Sequence, residues 1–244
     1  MLKFFSLTLI FSHLLFGEVP QIPMVDLSFG VPTEPEDLVS SLNVLALLTL
    51  LFLAPSLLLI TTTFTRFLIV FGLLRQALGT QQMPPTQLLV SLALIMTVFV
   101  MEPVGKEAYE KGIKPYVEKK ISYEEAFEES TKPFKEFMVR NTREKDLALF
   151  IRMRNMDNPK TMDDLSLTIV IPAFIISELK TAFEIGFLLF LPFLVIDMVV
   201  SSILMSMGMM MLPPVMISLP FKILIFVMID GWNLLIENMV KSIK

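Results

Sequence analysis

Two long stretches almost free of charge bracket one highly charged stretch, and this pattern limits the fold of the 244-residue chain more than any other feature. Residues 42–65 (LNVLALLTLLFLAPSLLLITTTFT) are 24 uncharged residues, and a helix needs about 20 to cross a bilayer. Residues 86–101 form a shorter apolar run, and residues 185–229 carry only Asp197 and Lys222 as charges. Between the blocks, residues 102–184 hold 14 of the 20 Lys+Arg and 16 of the 24 Asp+Glu. In hydrocarbon each backbone N–H and C=O needs a partner from the chain itself, which a helix supplies. The pattern therefore predicts an all-α membrane protein. Two broken apolar helical hairpins flank a small extracytoplasmic helical insert.

The boundaries follow the charges. Residues 1–17 read as a signal peptide: Lys3 precedes a 13-residue, mostly apolar run, short of a span but within the roughly 7–15 residues of a signal core. Residues 18–41 form an extended N-terminal segment, with four prolines in 18–37. Residues 42–103 are the first hairpin, and its turn (residues 66–85) carries Arg66 and Arg75 but no acid. The positive-inside rule places that turn in the cytoplasm. The insert, residues 104–184, is then outside; residues 185–237 form the second hairpin and 238–244 a tail. Four spans are expected, at 42–65, 86–101, 185–207 and 215–237.

Local signals make the insert helical. Ser122 with Glu125, and Thr161 with Asp164, have capping spacing. Thr142 is placed to cap a helix bearing Leu147, Phe150, Ile151 and Arg154. Pro115, Pro133 and Pro159 punctuate the segment. The apolar blocks hold Pro55, Pro84, Pro85, Pro172, Pro192, Pro213, Pro214 and Pro220. Carbonyls freed by proline must be satisfied by protein or water, so these helices read as buried in an assembly or lining a path. Gly79 to Pro85 (GTQQMPP) and Gly208 to Pro214 (GMMMLPP) share a G-x-x-x-x-P-P spacing. Glycine ends a helix and proline starts one, so two ordinary hairpin turns account for it, with a duplicated hairpin as the alternative.

Enzymatic chemistry is not indicated. The chain has no cysteine, and its one histidine, His13, lies in the signal peptide. Disulfides, iron–sulfur clusters and thiolate zinc sites are excluded, and the usual general base is missing. P-loop, G-x-S-x-G and H-E-x-x-H motifs do not occur. No cofactor or metal is expected, and a net charge of -4 gives no reason to expect nucleic acid as a partner. Asp197 and Asp230 lie in apolar surroundings, with Lys222 as an available partner. Structural pairing is the leading reading; proton handling would make the chain a proton-coupled secondary transporter.

Three stretches resemble the FliP family of flagellar type III secretion export-gate proteins. They are FTRFLIVFGLLRQALGTQQMPP (64–85), IPAFIISELKTAFEIGFLLFLPFLVIDMVVSSILMSMGMMMLPP (171–214) and LPFKILIFVMIDGWNLL (219–235). The resemblance implies a non-enzymatic inner-membrane subunit of the flagellar basal body. It implies a homo-oligomeric ring, a pentamer by the family, with FliQ-like and FliR-like partner subunits. Unfolded flagellar export substrates would pass through that ring. The related injectisome export gate is the alternative; the signal peptide and N-terminal extension favour the flagellar member.

Met205, Met207, Met209, Met210, Met211 and Met216 fall within 12 residues. Methionine is unbranched and polarizable and packs around irregular shapes, which suits a seal that must yield to varied polypeptides. The expected gate comprises Met205, Met207, Gly208, Met209, Met210 and Met211. Gly79, Pro84, Pro85, Pro213 and Pro214 set the turns, and Arg66, Arg75, Asp197, Lys222 and Asp230 serve assembly or buried pairing.

Overall fold

The computed structural model describes residues 35–80, 82–154, 164–209 and 211–243, with side chains of the first helix from residue 42 onward except at 50, 54 and 58. The expected signal peptide (1–17), residues 18–34, Pro159, Thr161 and Met210 lie outside the described residues. Among those described, every regular element is helical. The helices are α1 (Pro35–Ile60), α2 (Phe64–Leu78) and α3 (Thr86–Ala108), then a π-helical turn (Tyr109–Ile113) and α4 (Lys114–Val117). There follow α5 (Tyr123–Asn141), α6 (Glu144–Met153), α7 (Leu167–Ser206), α8 (Pro214–Met228) and α9 (Gly231–Lys241).

The chain divides into two compact units, Met1–Thr49 and Leu50–Lys244. In the first, the described part is the leading stretch of α1, which begins at Pro35 rather than near Leu42 as expected. Proline is suited to the first helical position.

The second unit holds two cores and corrects the hairpin reading. Residues 66–85 are not a loop, because most of them form α2. Phe67, Val70, Phe71, Leu74, Ala77 and Leu78 recur at helical spacing and are buried. They pack with Leu89 and Ala93 of α3, Ala182 and Phe193 of α7, Phe226 of α8 and Met239 of α9. The second core joins Met101 and Val104 of α3, Phe137 and Met138 of α5, and Ile151 of α6 to Ile169, Val170 and Phe174 of α7. Ile243 packs against both cores.

In the insert, the Ser122–Glu125 capping box forms as expected: Glu125 N–H donates to Ser122 Oγ at 3.2 Å and Ser122 N–H to Glu125 Oε2 at 3.0 Å. Pro133 does not punctuate; it lies inside α5. Thr142 ends α5 instead of starting α6, because its hydroxyl donates back to Met138 O at 2.7 Å. Arg143 occupies the N-cap position of α6.

The expected border at residues 184 and 185 does not interrupt the backbone. α7 runs unbroken for 40 residues, over Pro172 and Pro192. At 1.5 Å per residue that is about 60 Å, twice the hydrocarbon thickness of about 30 Å. The fourth expected span, 215–237, is bent by 64° between α8 and α9. Among the described residues, two helices, Thr86–Val117 and Leu167–Ser206, are long and apolar enough to cross a membrane, or three spans if the bent pair counts as one.

Candidate functional site

The methionine-rich turn joins α7 to α8, and glycine and proline set its two ends. Gly208 has a φ of 75°, in the left-handed region, where a side chain costs roughly 1–2 kcal/mol. Its N–H donates to Met205 O at 3.1 Å, and Met209 N–H donates to Leu204 O at 3.0 Å. These two bonds satisfy carbonyls that the end of α7 leaves open. Pro213 then takes the N-cap position of α8 and Pro214 its first turn. Along the turn, Met205, Met207, Met209, Met211 and Met216 are 57, 62, 41, 98 and 60% exposed. As fillers of this chain's own core, they would be covered.

Beneath the turn, the first turns of α8 press on the end of α2. Gly79 (φ 80°) closes α2, its N–H donating to Gln76 O. A Cβ there would lie 3.3 Å from Val215 Cγ1 and 3.9 Å from Lys222 Nζ. Lys222 is 2% exposed; its Nζ donates to Asp197 Oδ2 at 2.6 Å and to Ala77 O at 3.2 Å. Asp197 also accepts from the buried Ser218 hydroxyl, Oδ1 to Oγ 2.5 Å. The expected pairing of Asp197 with Lys222 thus forms, within the α7–α8 hairpin.

Asp230 takes no part in it. Its φ is 52°, at the α8–α9 bend, and it accepts from Asn233 Nδ2 at 3.2 Å. Arg75 is half-buried beside the first turn, where one nitrogen, Nη1, donates to Thr86 Oγ1 at 3.0 Å and to Pro84 O at 3.3 Å. Pro85 sits at the N-cap position of α3. The two G-x-x-x-x-P-P turns are therefore alike at both ends: a left-handed glycine closes one helix and the prolines open the next.

Arg66 is farther along α2 and buried. Its Nε donates to Glu178 Oε2 at 2.7 Å, Nη2 donates to Oε1, and Nη1 donates to Ser242 Oγ at 2.9 Å. Sequence reasoning missed Glu178, which it counted among the charges of residues 102–184; the available signal was an acid beside Ser177 at the end of the uncharged run 165–177. It also missed Ser218 and the Arg143–Glu184 pair (Nη1–Oε1 3.0 Å). The hydrogen bond from Arg143 to Glu184 holds that guanidinium above its ordinary value. Among the described residues, no cluster of three or more His, Cys, Asp or Glu stands ready for a metal.

A model of the FliP family matches residues 47–239, a range that contains both turns, the Arg66–Glu178 pair and the Lys222 cluster. The chain belongs to the FliP family. Flagellar biosynthetic protein FliP of Bacillus subtilis is 52% identical over 210 residues, covering 86% of this chain and 95% of that protein. FliP of Caulobacter vibrioides is 52% identical over 202 residues, 83% of this chain and 76% of its own. FliP of Aquifex aeolicus is 45% identical over 224 residues, covering 91 and 92%. As a FliP-family protein the chain is a membrane component of the flagellar export apparatus, and it is not an enzyme.

Proposed function

We propose that this FliP-family chain forms an oligomeric ring in the bacterial inner membrane, with the methionine turn of each copy meeting at a constriction. Unfolded flagellar subunits pass through that constriction, and FliQ-like and FliR-like subunits complete the assembly. The insert faces the extracytoplasmic side and joins neighbouring copies. The observation that carries this reading is the exposed methionine turn. Flexible thioethers project from a backbone held by Gly208 on one side and by Pro213 and Pro214 on the other. Such side chains close around gaps and give way to different surfaces without a fixed shape of their own.

A proton-coupled transporter fits the site less well, since Asp197 is engaged by both Lys222 and Ser218 and Asp230 by Asn233. The test is ion conductance of membranes bearing the assembled complex, together with secretion of a flagellar substrate. Replacing Met209, Met210 and Met211 by alanine leaves assembly intact, because the turn is set by glycine and proline, and makes the membrane leak. Met210→Trp impedes export instead. Assembly with low conductance and normal export in the triple variant would place the seal elsewhere.

A further inference from the structure

The last carbonyls of a helix have no intrahelical partner and carry the negative end of its dipole. At the end of α2 one of them, Ala77 O, is met by the ammonium of Lys222, which comes from α8, 145 residues away in sequence. Lys222 is therefore a C-terminal cap supplied by another helix. It is oriented from the far side by Asp197 of α7, which Ser218 holds in turn. Three helices meet at this one ammonium group. The contact is close on the backbone as well, because Val215 leaves too little room for an unstrained Cβ at Gly79.

We infer that Lys222 is a positioning residue that locks the turn at residues 79–85 to the methionine turn, so that the two move as one part. This deepens the pore reading above and rests on it for its consequence: the first turn, with Met83 66% exposed at its tip, is a second moving element of the gate. A polypeptide that displaces the methionine turn carries α8 with it, and α8 carries the end of α2. The Lys222–Ala77 bond joins the two helices directly.

The absence of cysteine permits a direct test. Met83→Cys and Met209→Cys are introduced together, carry nitroxide labels, and are assembled with an excess of label-free subunits. The distance between labels within one copy is then read by pulsed electron spin resonance. The native background gives one narrow distribution. Lys222→Met, which keeps the stem and removes the donor, broadens it about twofold, as expected when the element fixing one arrangement is lost. The double variant Arg66→Met, Glu178→Leu, which removes a different buried ion pair of the same core, leaves it narrow.

An unchanged distribution in Lys222→Met overturns the inference. Equal broadening in both variants also overturns it, since that would mean that the loss of any buried pair loosens the fold. If Lys222→Met fails to assemble, the double variant Lys222→Met, Asp197→Leu, which leaves no buried charge unpaired, decides alone: broad supports the coupling and narrow refutes it. The methionine seal is judged separately by conductance, so either idea can fail without the other.

Discussion

Arg66 on α2 and Glu178 on α7 are 112 residues apart in sequence and form a buried ion pair, with Nε 2.7 Å from Oε2 and side chains 2 and 1% exposed. Both guanidinium edges are used, since the remaining nitrogen reaches Ser242 beyond the end of α9. The pair thereby ties the beginning of the main core, the long helix and the end of the chain together.

Removing one member should be far worse than removing both. Arg66→Ala leaves a carboxylate buried without its partner, which costs about 3–5 kcal/mol, and the complex should be lost from detergent extracts. Arg66→Lys should not restore it, because an ammonium group cannot engage both carboxylate oxygens and Ser242 in the fork geometry. The double variant Arg66→Met, Glu178→Leu should recover most of the yield. A double variant no more stable than Arg66→Ala would show that the charge itself is required.

Arg75 is expected to behave differently. Its contacts are made through a single nitrogen, to Thr86 and to a carbonyl, and no carboxylate is forked. One ammonium group meets the same need, so Arg75→Lys should assemble normally while Arg75→Ala loses yield. Complex yield after size exclusion compares the two, and equal failure would contradict the observed geometry.

Thr63 precedes α2 with a fully buried side chain, and among the described residues its hydroxyl has no hydrogen-bond partner. It makes no capping bond either. A buried hydroxyl without a partner costs about 1–3 kcal/mol, and valine has nearly the same shape. Thr63→Val should therefore raise the melting temperature of the solubilised protein. A lower midpoint would mean that the hydroxyl has a partner in the assembled state.

Gly112 sits in the π-helical turn against α5, where a Cβ would lie 2.0 Å from Ser130 Oγ and 2.6 Å from Ala126 O. A side-chain oxygen rotates away, but the backbone carbonyl does not. Gly112→Ala should cost about 1–3 kcal/mol by overpacking, seen as a lower melting midpoint. Gly105→Ala, with nothing within 4 Å of its Cβ, is the control and should gain slightly from helix propensity.

Much of this was legible in the residues themselves. The helical class, the apolar blocks, the Ser122–Glu125 box and the helix ends at Gly79 and Gly208 are local properties, set by side-chain chemistry within a turn or two. The span count was less so. Hydropathy over a window reports an average, and Arg66 and Arg75 made residues 66–85 read as a solvated turn. A charge with a buried partner looks the same in sequence as a charge in water, and the partner of Arg66 lies 112 residues on.

By itself the sequence determined that the chain is helical and apolar, where its glycines and prolines stop and start helices, and that it contains the stretches that resemble the FliP family. Each follows from backbone freedom, transfer from water, or a string of residues read in order. Only the tertiary structure decided which charges are paired and where the core runs. It made α2 a buried helix, carried α7 past the expected border, and set Lys222 of α8 on one of the last carbonyls of α2, that of Ala77. Those outcomes depend on which surfaces meet, and a buried ammonium group is stable only where a carboxylate and a free carbonyl from other helices converge on it.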